Sequence, residues 1–204
     1  MQEPFLGVFF SLSSHQPYVI PEEFKNKFPK GTLAIHESLG YADYSLGQFL
    51  KKVEGQSWFK NTIILITADH TAKHATAKFE NMIGRYRVPL ILLHPQFSPE
   101  KIQKVTQHSD IPRSLIYMVG AEEKEWPVVA GALFGDVGRA FIYADQWDYF
   151  VTEKESYKLG PRGEAFKFNY DWELGEEKNQ VQDEVKELKA FKQYFYNGLL
   201  RNRL

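Results

Sequence analysis

The stretch that decides the fold is Asn61 to His70, NTIILITADH. Its apolar run at residues 63–66 predicts a buried β-strand, which is followed closely by the carboxylate of Asp69 and the imidazole of His70. Ligands and metal ions bind at the carboxyl ends of strands in α/β proteins, and this donor pair suits Zn²⁺ or Mn²⁺. The alternative interpretation is a strand whose final Asp simply caps the following turn.

Composition excludes several classes of function. The chain has 204 residues, enough for one substantial domain, and a hydrophobic fraction of 43% that is ordinary for globular proteins. Its net charge of −1 gives no electrostatic reason to expect a nucleic-acid partner. Because cysteine is absent, disulfides, thiolate metal sites and a cysteine nucleophile are excluded within this chain.

The first 130 residues show the alternation of strands and helices that is typical of an α/β domain. We therefore predict a partial, mostly parallel sheet with flanking helices. The predicted strands are residues 5–12, 62–67 and 88–95, and the predicted helices are residues 34–54 and 110–119.

The near-continuous apolar run at residues 5–10 is typical of an interior strand of a parallel sheet. Such a strand needs neighbours, so we expect this chain to be a portion of a longer protein. In the isolated chain, an unpaired edge at this strand would favour a dimer as an artefact of truncation.

After residue 130 the pattern changes, which divides the chain into residues 1–130 and 131–204. Short aromatic and β-branched stretches with a Gly-Pro turn at residues 160–163 predict a small antiparallel meander. A closing helix is predicted at about residues 178–200, with an apolar stripe that consists of Val181, Val185, Leu188, Phe191, Phe195 and Leu199.

Two further histidines are candidates. His15 follows the first predicted strand in Ser-Ser-His-Gln-Pro and shares an edge with His70 if both strands lie in one sheet; otherwise it is a surface histidine. His108 and Asp110 could form a second metal cluster, although a helix cap alone explains Asp110.

The loop between residues 70 and 87 is rich in cations. These cations could attract an anionic substrate, with arginine forming bidentate contacts, or they could form a solvated basic loop. They are Lys73, Lys78, Arg85 and Arg87.

Five motifs in order resemble the carboxyl-terminal half of a sulfatase-like domain of the alkaline phosphatase superfamily. The closest branch is the lipoteichoic acid synthase-type phosphoglycerol transferases, and the similarity covers roughly residues 5–120. The motifs are SSHQP at residues 13–17, YADYSLGQFL at 41–50, NTIILITADH at 61–70, GRYRVPLI at 84–91 and HSDIPRSL at 108–115.

The resemblance implies roles for individual residues. Asp69 and His70 match the metal pair of the family, which binds Mn²⁺, Zn²⁺ or a similar divalent ion, with Mg²⁺ or Ca²⁺ as alternatives. His15 matches the histidine that touches the phosphoryl or glycerol group, which makes it the catalytic candidate. Asp110 matches a structural helix start, but Arg113 and Ser114 stand where Pro-Thr is usual.

The resemblance also implies what lies outside this chain. Family enzymes carry their nucleophile and an acidic metal ligand in the amino-terminal half, so we expect the longer parent to be the enzyme and the isolated chain to be inactive. The implied substrate is a phosphate or sulfate ester, and a lipid-linked ester is one candidate for the parent. The parent is expected in the bacterial cell envelope as an extracytoplasmic, membrane-anchored protein.

The alternative is a non-catalytic module that binds carbohydrate or protein through an exposed row of Trp and Tyr on the meander.

Overall fold

The computed structural model describes residues 4–72, 76–121, 131–135, 138–168, 177–181 and 185–201. The chain forms two compact units. The first consists of residues 1–69 and 89–98, and the second of residues 70–88 and 99–204. Among the described helices, none combines the length and the hydrophobicity that a membrane span requires.

The first unit is built from a long helix and two short strands. Helix α1 (His36–Val53) follows the predicted amphipathic stretch, and strands β1 (Ile64–Thr67) and β2 (Leu90–Leu93) form a two-stranded sheet. The Thr67 hydroxyl donates a 2.8 Å hydrogen bond to the carbonyl oxygen of Pro89, beside the end of the pair. This bond fixes the chain at the point where the Asp69 segment leaves the strand.

The prediction of a mostly parallel sheet is wrong for the strands of this unit. β1 and β2 pair antiparallel, with Ile64 opposite Leu93. Residues 5–12 form no strand, and their apolar side chains are exposed, Phe9 by 91%. The physical reason is that an apolar run records burial and β-propensity, whereas the direction of pairing and the presence of a partner depend on other segments.

The second unit contains the predicted antiparallel meander. Its five described strands pair antiparallel in chain order: β3 (Ala140–Ala144), β4 (Trp147–Val151), β5 (Ser156–Leu159), β6 (Ala165–Phe168) and β7 (Glu177–Gln180). Helices α2 (Asp110–Met118) and α3 (Lys186–Leu200) complete the unit. The α/β class, the small antiparallel sheet and the closing helix are therefore confirmed.

Both faces of this sheet are covered, because successive strand residues point to opposite sides. On one face, Phe150, Tyr157 and Leu159 pack with Leu188 of α3. On the other face lie Tyr149 and Val151, which pack against Ile83. The opposite face thus anchors the loop around Ile83, which carries part of the candidate site.

The closing helix begins later than predicted. Residues 177–180 form β7, and the Val181 amide donates a 3.0 Å hydrogen bond to the carbonyl of Ala165, so the chain is still paired with the sheet there. The helix itself starts at Lys186. Val181 and Val185 lie four residues apart, which is the spacing of one face of a helix. Both pack into the same core, but Val181 follows strand β7 and Val185 directly precedes helix α3.

The aromatic side chains of the meander are mostly core residues. Phe150 is only 5% exposed, and Tyr149 and Tyr157 are also buried, whereas Tyr143 is exposed. Tyr170 and Trp172 lie outside the described residues. Within the described strands there is thus no continuous exposed row of Trp and Tyr of the kind a binding platform needs.

Hydrogen bonds connect helix α2 to the segment at residues 131–133. The Asp110 carboxylate is buried and accepts hydrogen bonds from the amides of Gln107 (3.0 Å) and Gly131 (2.7 Å). The Ser114 hydroxyl donates to the Asp110 carbonyl (2.7 Å) and accepts from the Leu133 amide (2.8 Å). Asp110 and Ser114 therefore act as structural residues, in agreement with the predicted helix start.

One ion pair joins α3 to the sheet. Lys192 Nζ lies 2.5 Å from Oδ2 of Asp148, whose side chain is largely buried. The hydrogen bond with Asp148 raises the pKa of Lys192 above its ordinary value of 10.5, in spite of the opposing effect of burial. The pair therefore stabilises the folded chain while the lysine is protonated.

Lys192→Met is expected to lower the free energy of unfolding by about 2 kcal/mol, because it leaves the Asp148 carboxylate without its cation. A raised folded-state pKa means that this contribution is complete below pH 10 and is lost as pH rises through the folded-state pKa. Urea unfolding at pH 7 and above pH 10.5 measures both effects. Lys189→Met, at an exposed position of the same helix, is the matched control, and an equal loss in both variants would contradict the prediction.

Candidate active site

Asp69 and His70 lie where the chain bends just after β1, and both are exposed. Asp69 ends one stretch of the first unit and His70 begins the second unit. The Nδ1 of His70 lies 2.9 Å from the carbonyl oxygen of Thr71. Because a carbonyl only accepts, Nδ1 carries the proton, and the lone pair of the neutral ring is on Nε2. Histidines that bind metals commonly have their other nitrogen oriented in this way.

His15 has the same local arrangement in the first unit. It is exposed in a turn, in which the His15 amide donates to Leu12 (3.0 Å) and the Tyr18 amide donates to the His15 carbonyl (2.7 Å). Its Nδ1 lies 2.8 Å from the carbonyl oxygen of Gln16, so Nδ1 is the protonated nitrogen. Nε2 of the neutral ring consequently carries the lone pair and accepts a proton or hydrogen bond, and it donates one only in the imidazolium form.

An open cleft of about 590 Å³ lies within the second unit beside His70. Three separate stretches of the chain form it: the segment after His70, the loop at residues 80–86 and the turn between β3 and β4. The lining residues are His70, Thr71, Ala72, Glu80, Met82, Arg85, Tyr86, Ala144 and Asp145.

The loop at residues 80–86 is held in a defined conformation. The Thr71 hydroxyl donates to the Arg85 carbonyl, and the Gly84 amide donates a 2.8 Å hydrogen bond to the side chain of Asn81. A Cβ at Gly84 would collide with the backbone carbonyl of Phe79, so this close approach requires glycine. Since Ile83 is also buried against the sheet, the backbone of this loop is held beside the cleft that Arg85 lines.

The turn between β3 and β4 brings a residue of the carboxyl-terminal sheet into the cleft. Ala144 pairs with Trp147, and the two residues between them, Asp145 and Gln146, have φ values of 51° and 67°. These are the left-handed conformations of a two-residue type I′ hairpin turn, which normally favours Asn-Gly. Burial raises the pKa of Tyr149, and the nearby negative charge of Asp145 adds to this effect.

The cleft combines one cation with two anions. The Arg85 guanidinium can pair with oxygens of a phosphate or sulfate group next to the His70 imidazole. The Glu80 and Asp145 carboxylates line the same cleft. Neither carboxylate stood out from the sequence, because Glu80 is the single acid of a basic loop and Asp145 belongs to a region with no motif.

The other sequence candidates are placed elsewhere. Both carboxylate oxygens of Asp110 accept backbone hydrogen bonds, which supports the structural alternative for this residue over a metal cluster with His108. Arg87 lies over the ring of Phe79, 5.6 Å from its centroid. Lys73 and the side chain of Lys78 lie outside the described part of the chain.

Asp69 and His70 fit a divalent ion in the chemistry of their donor atoms but not in number. Among the described residues, no group of three or more His, Asp or Glu side chains is arranged to hold a metal. A catalytic zinc ion usually has three protein ligands. The pair alone therefore has fewer side chains than such a site needs.

Comparison with known proteins decides the family. The family model of the sulfatases matches residues 1–121, which is more than half of the chain. The chain belongs to the sulfatase family. The match includes His15, Asp69 and His70, and it ends after helix α2.

This sulfatase-family chain is also similar to two individual proteins. It is 26% identical over 145 residues to the lipoteichoic acid synthase-like YvgJ of Bacillus subtilis (strain 168), covering 61% of this chain and 24% of that protein. A crystal structure of a protein in the alkaline phosphatase superfamily from Vibrio parahaemolyticus superposes with a TM-score of 0.74 at 23% identity, covering 91% of this chain and 48% of that one. The chain thus shares the fold of that structure and spans about half, or less, of these relatives' lengths.

Proposed function

We propose that this chain supplies part of a metal-dependent active site that acts on phosphate or sulfate esters, as in a phosphoglycerol transferase or a sulfatase. The observation that carries the proposal is the placement of His70: it follows Asp69, has its Nδ1 oriented by Thr71, and lines a cleft with Arg85. A metal-ligating nitrogen beside a guanidinium suits an anionic ester.

Members of this superfamily generally use divalent metal ions. Asp69 and His70 would hold such an ion, with Mn²⁺ or Zn²⁺ favoured by their carboxylate and imidazole donors and Mg²⁺ or Ca²⁺ as alternatives. When bound, the ion would offset negative charge on the transferring group and activate a hydroxyl nucleophile. The proposal assigns the nucleophile and the remaining ligands to a part of the protein outside this chain.

The residues of this chain would bind and orient the ester. Arg85 would pair with the non-bridging oxygens of the phosphate or sulfate group. His15, in its protonated imidazolium form, would donate a hydrogen bond from Nε2 to an oxygen of the phosphate or sulfate group, or protonate the departing alkoxide. Its exposed ring, with Nδ1 oriented by Gln16, is suited to either role.

The exposed apolar segment at residues 5–12 supports the view that this chain is a portion of a larger domain. Phe5, Val8 and Phe9 are more than half exposed, and the chain covers 48% of the similar solved structure. We infer that this segment pairs with the remaining part of the domain and that the isolated chain is inactive. In isolation, the exposed apolar side chains of the same segment would favour a dimer.

The relative named lipoteichoic acid synthase-like, from Bacillus subtilis, supports a place in the bacterial cell envelope. We propose that this domain is extracytoplasmic and that any membrane anchor lies in another part of the protein. A lipid-linked phosphate ester is then a candidate substrate.

Titration calorimetry with Mn²⁺ and Zn²⁺ tests the metal site in this chain and in a form extended to the complete domain. We expect tight binding only in the extended form, because Asp69 and His70 are too few ligands alone. Asp69→Ala should abolish that binding, since it removes the carboxylate. Asp43→Ala, at a position on α1, is the matched control. Absence of binding in both forms would contradict the proposed function.

A further inference from the structure

The carboxyl-terminal sheet contributes directly to the His70 cleft through a single turn. Asp145 lies between β3 and β4 and lines the cleft together with Glu80 and Arg85. All of these residues belong to the second unit, so their arrangement does not depend on the first. The family match ends at residue 121 and does not include this turn.

We propose that Asp145 is a specificity-determining residue of the ester-binding cleft. Its carboxylate accepts a hydrogen bond from a hydroxyl or ammonium group on the alcohol part of the substrate, and it disfavours esters that carry a second negative charge there. This inference rests on the proposed function, because it takes the cleft as the ester site.

The charged side chains of the cleft support separate positions for the phosphate or sulfate group and for the alcohol part of the substrate. A phosphate or sulfate group pairs with the Arg85 guanidinium near His70. The acidic side chains of the lining are the carboxylates of Glu80 and Asp145, and Thr71 and Tyr86 add neutral hydroxyls. Ionised carboxylates only accept hydrogen bonds, so a substrate group that contacts Asp145 is favoured when it is a donor. A second anion would instead meet like charge.

The position of Asp145 is fixed by packing. Ala144, immediately before it, packs with Tyr149 and Val151 in the cluster that includes Ile83 and Met82 of the opposing loop. The sheet and the loop that carries Arg85 therefore share one core. This core keeps the Asp145 turn and Arg85 in one arrangement.

Asp145 can also be substituted without disturbing the turn. Asp145 has a φ of 51°, a left-handed conformation that Asn and Gly adopt readily. D145N removes the charge and D145G removes the side chain, and both are compatible with the hairpin. A change in binding can therefore be separated from a change in folding.

Two probes differ at one group: glycerol 1-phosphate carries a hydroxymethyl group where 3-phosphoglycerate carries a carboxylate. We expect the wild-type chain to bind glycerol 1-phosphate about tenfold more tightly, as measured by NMR titration of the amide signals of Thr71, Ala72 and Asp145. D145N should bring the two dissociation constants close together, and D145G should weaken binding of glycerol 1-phosphate. Glu23→Gln, which removes an exposed charge from the first unit, should leave the preference unchanged.

A third probe, phosphoethanolamine, identifies the donor. Tighter binding than glycerol 1-phosphate that is lost in D145N indicates an ammonium group, and weaker binding indicates a hydroxyl. An unchanged preference in D145N, or no binding of any probe at this cleft, would overturn the inference. Neither result affects metal binding by Asp69 and His70, so failure here is distinguishable from failure of the proposed function.

Discussion

His70→Gln is expected to lower turnover of a phosphate or sulfate ester by at least about a hundredfold in the full protein that carries this chain. Glutamine has a similar length but lacks the imidazole nitrogen that the Thr71 carbonyl orients for a ligand. The same variant should lose metal binding. Steady-state kinetics together with the metal content of the purified protein measure both effects.

His94→Gln is the matched control for this experiment. The Nδ1 of His94 accepts a 3.2 Å hydrogen bond from the Gln96 amide, and its ring packs against Phe97 at 5.1 Å, which is a structural role after β2. Turnover should therefore stay near the wild-type value. If His70→Gln retained full turnover and metal content, the cleft would not be the active site.

Leu188→Ala is expected to lower the free energy of unfolding by about 3 kcal/mol. Leu188 is 1% exposed and packs with Phe150 and Tyr157, where α3 meets the sheet. Truncation removes buried apolar contacts and leaves a cavity that the rigid sheet cannot fill. Urea unfolding followed by circular dichroism measures the change.

Lys189→Ala is the control for Leu188→Ala, because Lys189 is the next residue of α3 and is exposed. Its effect should stay within about 0.5 kcal/mol. If Leu188→Ala cost no more than this control, then α3 would not contribute to the core of the second unit.

Several elements could be predicted from local pattern. Helix α1, the strand that precedes Asp69 and the meander follow from apolar spacing and turn residues, since burial of one face imposes a period on the sequence. The start of α3 could not be predicted in this way, because Val181 and Val185 have helical spacing although Val181 follows a strand. The Val181 amide donates its hydrogen bond to Ala165 of the sheet. Because Ala165 is distant in sequence, local spacing does not reveal this pairing.

The residues of the candidate site also fall into two groups, those that the sequence predicts and those that only the structure reveals. His15, Asp69 and His70 could be named from the sequence because each follows an apolar run within a recognisable motif. Glu80 and Asp145 could not, since their relevance comes only from lining the same cleft as His70. Asp110 shows the reverse case, in which buried hydrogen bonds to Gln107 and Gly131 identify a plausible ligand as structural.

By itself, the sequence indicated the family, the α/β character and Asp69 and His70 as candidate metal ligands, because motifs and periodicity record local chemistry and burial. Only the tertiary structure decided that β1 and β2 pair antiparallel and that the turn at Asp145 reaches the His70 cleft. Pairing direction and convergence depend on contacts between segments far apart in the chain. Residues 72 and 145 line one cleft because a shared core holds their segments together, and such a core is a property of the packed structure rather than of any single stretch.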